Sequence, residues 1–191
     1  PFTCLREVDL QLPLPDWKRR AIAELGYGQN AKLFAGCSER VWRKLGYAGY
    51  AFADNGIING YDHTHMQNDN RGTGGYTIFL GGHAGLHCNE PTLEELSAHY
   101  IPALDAMFPG FQAHYNGVFQ RWHWPSYRFA QASYVCFRPG QYTTLSGAVE
   151  KPVGNLYFAG EHCNYVFQGF MNGAAQSARQ VVNQIVAKLG R

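Results

Sequence analysis

The sequence predicts an α+β (α/β) fold. Three observations carry that expectation. Apolar residues make up 46% of the 191 and charged residues only 16%, which allows a real core and excludes disorder or a coiled coil. Short strand-like runs alternate with helical periods along the whole chain, with neither an internal repeat nor a low-complexity linker. The turn and capping residues fall between those runs, which suggests one compact body or two interleaved layers.

The elements follow in order. "DWKRRAIAEL" (16–25) places Trp17, Ala21, Ile22 and Leu25 on one side of a helix, with Asp16 as its N-cap and Gly26 as its stop. "NAKLFAG" (30–36) reads as a strand, and "SERVWRKLG" after it as a short surface turn or helix. "YAFAD" and "GIINGYD" straddle Asp54-Asn55-Gly56, a hairpin signal. The polar, glycine-rich stretch 63–75 reads as a loop and "YTIFLGG" (76–82) as a buried strand. In "PTLEELSAHYIPALDAMFPG" Thr92 and Glu95 form a capping box ahead of a helical period, which Pro102 is expected to kink or split. "YNGVFQRWHW" (115–124) is strand-like and "FAQASYVCF" (129–137) a shorter strand or extended segment. A final helix is predicted from about Gly169 to Leu189.

Charge and composition exclude several functions. A net charge of +2 with scattered Lys and Arg gives no nucleic-acid surface. Five widely spaced cysteines without a CxxC pair indicate neither a zinc ribbon nor a disulfide framework; unpaired thiols leave the compartment open but favour the cytoplasm. No apolar run reaches the roughly 18 residues of a membrane span. His63, His65, His83, His87 and Cys88 match no standard ligand spacing, so no metal is expected. The first residue is not Met and "PFTCLREVDLQLPLP" enters in mid-structure, as expected for part of a longer chain.

The tail "NLYFAGEHCNYVFQGFMNGAAQSARQVVNQIV" (155–186) concentrates the chemistry. Residues 155–158 are expected to form a buried strand ending at Ala159-Gly160, where small side chains let a ligand approach the backbone. Glu161 then stands at the carboxyl end of that strand, the ligand-binding end of open α/β sheets, and suits the hydroxyls of a ribityl or ribose chain. The following helix offers free N–H groups and the positive end of a dipole. A buried strand, a tight turn and an ordinary amphipathic helix is the alternative reading of the same residues.

"YFAGEH" and "QGFMNGA" resemble the C-terminal FAD-binding signature of the flavin-dependent amine oxidases, the family of monoamine, polyamine and L-amino-acid oxidases. The resemblance extends, in order, to "PFTCLREVDL", to "YGQNAKLFAGCSERVWRK" and to "WPSYRFAQASY". It implies a substrate-binding sheet with helices, followed by the last strand and helix of a Rossmann-like FAD domain. The implied division is 1–14 and 121–191 for the FAD domain and 15–120 for the substrate domain. The GxGxxG turn that opens the family's FAD domain is absent, so the missing N-terminal half is the first partner expected, and the chain alone should bind FAD weakly and be inactive. A small-molecule amine or amino acid is the second partner, and a homodimer is compatible.

The resemblance also implies roles. Lys32 matches the family lysine beside the flavin N5; by itself it could equally be a strand-edge lysine reaching solvent. Tyr134 and Phe170 match the two rings that flank the substrate amine, and Trp124 a ring packed near the isoalloxazine. Gly160, Glu161, Gly169, Phe170 and Met171 match cofactor-binding positions. Arg128, Phe129 and Ala132 depart from the pattern around Trp124, and Ser133 replaces the cysteine that binds flavin covalently in monoamine oxidases, so FAD is expected to be non-covalent. The implied activity is oxidative deamination with peroxide release. The alternatives are a flavin desaturase or isomerase of the same architecture and a non-catalytic relative.

Overall fold

The computed structural model describes residues 1–67 and 72–190. It divides into two compact units rather than one body, Pro1–Gly28 with the segment from Ser126 onward, and Gln29–Pro125. Residues 68–71 of the glycine-rich loop lie outside the described residues.

The second unit is built on β1 (Ala31–Cys37), β2 (Ala51–Ala53), β3 (Ile58–Asp62), β4 (Gly74–Leu80) and β5 (Tyr115–His123). All pairings are antiparallel, in the order β2-β3-β4-β1-β5. The expected strands are all present here, and the 54–56 signal does join a hairpin, β2 to β3. Period-two alternation sorts the faces. Ala31, Leu33, Ala35 and Cys37 of β1 are wholly buried on one face, so Lys32 and Phe34 stand on the other.

Helices cover the apolar face. α5 (Leu93–Met107) contributes Leu96, Tyr100, Ile101 and Leu104 to the same core. Its start is fixed as the sequence predicts: Glu95 N donates to Thr92 Oγ1 at 3.1 Å, and Thr92 N donates to Glu95 Oε2 at 2.8 Å. Pro102 does not split it; the helix runs through. The N–H that proline lacks would have bonded the carbonyl of Ala98, which lies on the exposed side, where water can satisfy it. Three shorter helices, α3 (Val41–Lys44), α4 (Gly82–His87) and α6 (Phe111–His114), complete the unit. The turn carrying Trp42 is no surface feature, because that indole is fully buried against Tyr76, Phe108 and Phe111. Its Nε1 donates to Asp62 Oδ2, which also accepts from Arg43, while Thr64 donates twice to Asp62 Oδ1. Burial alone would raise the Asp62 pKa; those hydrogen bonds outweigh it and hold the carboxyl below its ordinary range.

The first unit contains α1 (Phe2–Leu5), α2 (Asp16–Glu24), α7 (Gln141–Leu145) and α8 (Met171–Leu189). α2 starts at Asp16 with Pro15 as its N-cap, so Asp16 sits in the first turn rather than capping it. Residues 155–158 do not form a strand. Val153 and Leu156 make an isolated bridge, and no ladder among the described residues runs beside the rest. An apolar run becomes a strand only with a partner. Likewise, among the described residues the 129–137 run makes a single bridge, Val135 to Tyr27, framed by hydrogen bonds from Gly28 N to Tyr134 O and from Cys136 N to Gly26 O.

Phe2, Ile22, Leu25, Val135, Leu145, Val149 and Phe158 form this unit's core, and Lys18 is buried among them. Its ammonium donates to the Val149 carbonyl at 2.8 Å and lies 3.7 Å from the centroid of the Phe158 ring. Desolvation dominates and lowers its pKa to about 8. The unfolded chain, with an ordinary lysine, therefore binds more protons between about pH 8 and 10.5, and Lys18 makes stability rise with pH across that window. Lys18→Met should be at least as stable as the parent at pH 7 and should remove that rise. Melting temperatures of both proteins from pH 7 to 10.5 check this; parallel curves would contradict it.

Candidate functional site

The tail residues are organised by one carboxylate. The segment after residue 158 turns through a single 3-10 turn, Glu161–Cys163, so Glu161 follows an extended chain rather than a strand end. Glu161 Oε1 accepts from Val135 N at 3.0 Å, and Oε2 accepts from Gly169 N at 2.8 Å. The segment that bridges to Tyr27 and the loop before the last helix are thus tied to one side chain, and each oxygen keeps a second acceptor site. Gly169, at φ +82°, takes the left-handed conformation that lets its N–H reach back.

Three neighbours that the sequence reading passed over make this corner rigid. Asn164, almost fully buried, accepts from Val166 N and Phe167 N and donates to Gln176 on α8. Ser177 Oγ bonds both the N–H and the carbonyl of Gly160. The His162 ring fills the space where a Gly160 Cβ would sit, only 2.3 Å away, so the small residue makes room for the protein's own imidazole. Burial, helped by the Lys18 charge, lowers His162 to about pKa 4, so it is neutral at physiological pH. Burial raises the Cys163 thiol to about 12, which keeps it protonated. An Asn-x-x turn and a Ser one period into the helix were the signals available for Asn164 and Ser177.

α8 begins at Met171, two residues later than the sequence suggests, with Phe170 as an N-cap that makes no side-chain hydrogen bond. Its first turn contains no acid, and among the described residues the N–H groups of Met171 and Asn172 have no acceptor. The positive end of a 19-residue helix is therefore uncompensated. Phe170 and Met171 project outward, 67% and 90% exposed, beside the buried and unpartnered carboxamide nitrogen of Gln168. Tyr134 lies next to Gly169, its ring 3.9 Å from where a Cβ would be built. So Tyr134, Gly160, Glu161, Gly169, Phe170 and Met171 all meet in the first unit.

The two other expected residues belong to the second unit. Lys32 is on β1, an interior strand rather than an edge. Its register partners are Phe79 on β4 and Trp122 on β5, and its Nζ lies 5.5 Å from the Phe79 centroid. Trp124 packs edge-to-face on Trp122 at 5.5 Å. The lysine thus rises from an aromatic floor on the sheet face away from the helices. Phe79 and Trp122 were missed because only strand register, and no local motif, brings them to Lys32. Of the histidines once weighed as ligands, His63 bonds Thr77, while His83 and His87 sit in α4 and stack on each other. Among the described residues, no three His, Cys, Asp or Glu side chains are placed to hold a metal.

The first unit of this mixed fold thus combines an uncapped helix start, exposed rings and a buried amide nitrogen without an acceptor among the described residues. Residues 1–186 match the family of flavin containing amine oxidoreductases, and the chain belongs to that family. It is 24% identical to human amine oxidase [flavin-containing] B, aligned along all of this chain and 37% of that protein. It is 26% identical to the putative L-amino-acid oxidase YobN of Bacillus subtilis, over 97% of this chain and 39% of that one. In fold it matches cyclohexylamine oxidase from Brevibacterium oxydans IH-35A at a TM-score of 0.87, with 19% identity, covering 100% of this chain and 42% of that one. The chain therefore spans about two fifths of the length of the proteins it resembles.

Gly173 supplies a test of the corner. A Cβ there would lie 2.2 Å from the Phe167 carbonyl oxygen, a backbone atom that cannot step aside. Gly173→Ala should destabilise the protein by roughly 1–3 kcal/mol, despite alanine's better helix propensity. Thermal unfolding reads this directly; an unchanged or raised melting temperature would refute the packing described.

Proposed function

We propose that this chain is the C-terminal part of an FAD-dependent amine oxidase, which converts a primary amine or L-amino acid to an imine, then to a carbonyl compound and ammonia, with release of hydrogen peroxide. The observation that carries this reading is the bare N-terminus of α8, held in place through Gly169 by Glu161, in a chain of this family. FAD, when bound, supplies the two-electron acceptor and the reaction with oxygen.

The protein's own residues supply position and field. The Met171 N–H would donate to a pyrimidine carbonyl of the cofactor and draw electron density toward the helix. Glu161 would orient the ribityl and pyrophosphate region with its remaining acceptor sites while it keeps its two backbone bonds. Gly160 and Gly169 would present backbone, and Trp124 would pack near the ring system. Tyr134 and Phe170, both exposed, are suited to flank the amine, exclude water and orient it in its neutral form. Lys32 would place an ammonium where oxygen gains negative charge, from an aromatic floor that gives it no anionic partner among the described residues. Ser133 cannot form the thioether that a cysteine would, so the cofactor is held non-covalently.

The test uses the full-length protein. It should be yellow, lose its flavin on denaturation, and release peroxide on addition of amines or L-amino acids. Lys32→Met should keep the flavin spectrum and slow reoxidation by oxygen roughly tenfold to hundredfold. A colourless protein would overturn the assignment, and a yellow one silent toward every amine would point to a desaturase or isomerase.

A further inference from the structure

The helix-covered side of the second unit holds a cavity of about 570 Å³, within the size range of small-molecule sites. Leu96 and Tyr100 line it and pack in one core with Ala31 and Leu33, whose neighbour Lys32 occupies the opposite sheet face. A molecule here is separated from Lys32 by the sheet itself, so this is not the site described above.

Its chemistry is uneven. Tyr100 is 7% exposed; its hydroxyl makes no hydrogen bond among the described residues, and its oxygen is not sealed from solvent. Glu90 and Glu95 stand at the rim. Glu90 Oε1 lies 2.5 Å from His87 Nδ1, and Glu95 Oε2 accepts from Thr92, so each carboxylate retains acceptor capacity. The nearby cation Arg121 is turned to the carbonyls of Cys88 and Pro91. His99 and Tyr100 meet edge-to-face at 4.7 Å beside the apolar surface of Leu96.

We propose that this cavity is a second, non-catalytic binding site for a small organic cation with a short apolar body. The cation would sit between Glu90 and Glu95, its N–H reaching the Tyr100 oxygen, and the apolar part would cover Leu96.

The probe is 2-phenylpropan-2-amine, a primary amine that carries no hydrogen on the carbon bound to nitrogen and so cannot be oxidised to an imine. Calorimetric titration of the full-length protein should show binding that survives Lys32→Met and Phe170→Ala. Glu90→Gln should weaken it roughly tenfold, the scale of a charge-assisted hydrogen bond. Tyr100→Phe, which preserves packing, should weaken it several-fold without lowering the melting temperature. Absence of binding at millimolar concentration overturns the proposal. So does binding that Glu90→Gln and Tyr100→Phe leave unchanged, or binding lost in Phe170→Ala. None of these outcomes depends on whether the protein oxidises amines.

Discussion

A single carboxylate bridging two backbone amides is the constraint on which the candidate site depends. Gly169 lies outside any ladder, and Val135 sits in a one-bridge pairing whose hydrogen bonds use its neighbours Ser133, Tyr134 and Cys136, so both N–H groups would otherwise need water. Glu161 satisfies both at once. It thereby fixes where the chain turns into α8, and so where that helix aims its free N–H groups. Asn164 and Ser177 brace the same corner from either side, while His162, held neutral by burial, fills the space behind Gly160. The helix start is left bare while Asn164, Ser177 and Glu161 behind it are all hydrogen-bonded. That contrast separates this corner from an ordinary helix terminus, where a Ser, Thr, Asp or Asn usually supplies the cap.

The second unit reaches its arrangement by a different route. Strict alternation along β1 gives one face to the core and one to Lys32, and antiparallel register with β4 and β5 then sets Phe79 and Trp122 on either side of it. Among the described residues the Lys32 ammonium lies over a ring and makes no ion pair. On the other face, α5 completes the core, and among the described residues the Tyr100 hydroxyl makes no hydrogen bond. The two faces of one sheet thus offer two chemically distinct surfaces.

Much of this was legible in the sequence because its causes are local. The capping box of α5, the β2–β3 hairpin and the alternation of β1 depend on neighbours a few residues apart, and they stand where the residues predict. The failures share one origin. Residues 155–158 have the composition of a strand but lack a partner ladder, and Pro102 sits in an intact helix because its missing bond faces water. Trp42 looked superficial until Asp62, twenty residues on, captured its indole N–H. The tail signature marked Glu161 and Gly169 as important, yet nothing local could say that one would bond to the other, or that Lys18 would be buried against Phe158.

Hydrogen exchange at two amides tests the central claim most directly. In the full-length protein, Val135 and Gly169 should be protected at neutral pH despite lying outside regular structure. Glu161→Ala should accelerate both at least tenfold, the loss of one hydrogen bond each, while the β1 amides stay unchanged. Equal exchange at both positions in parent and variant would mean that the carboxylate does not hold this corner, and the placement of the helix start would lose its cause.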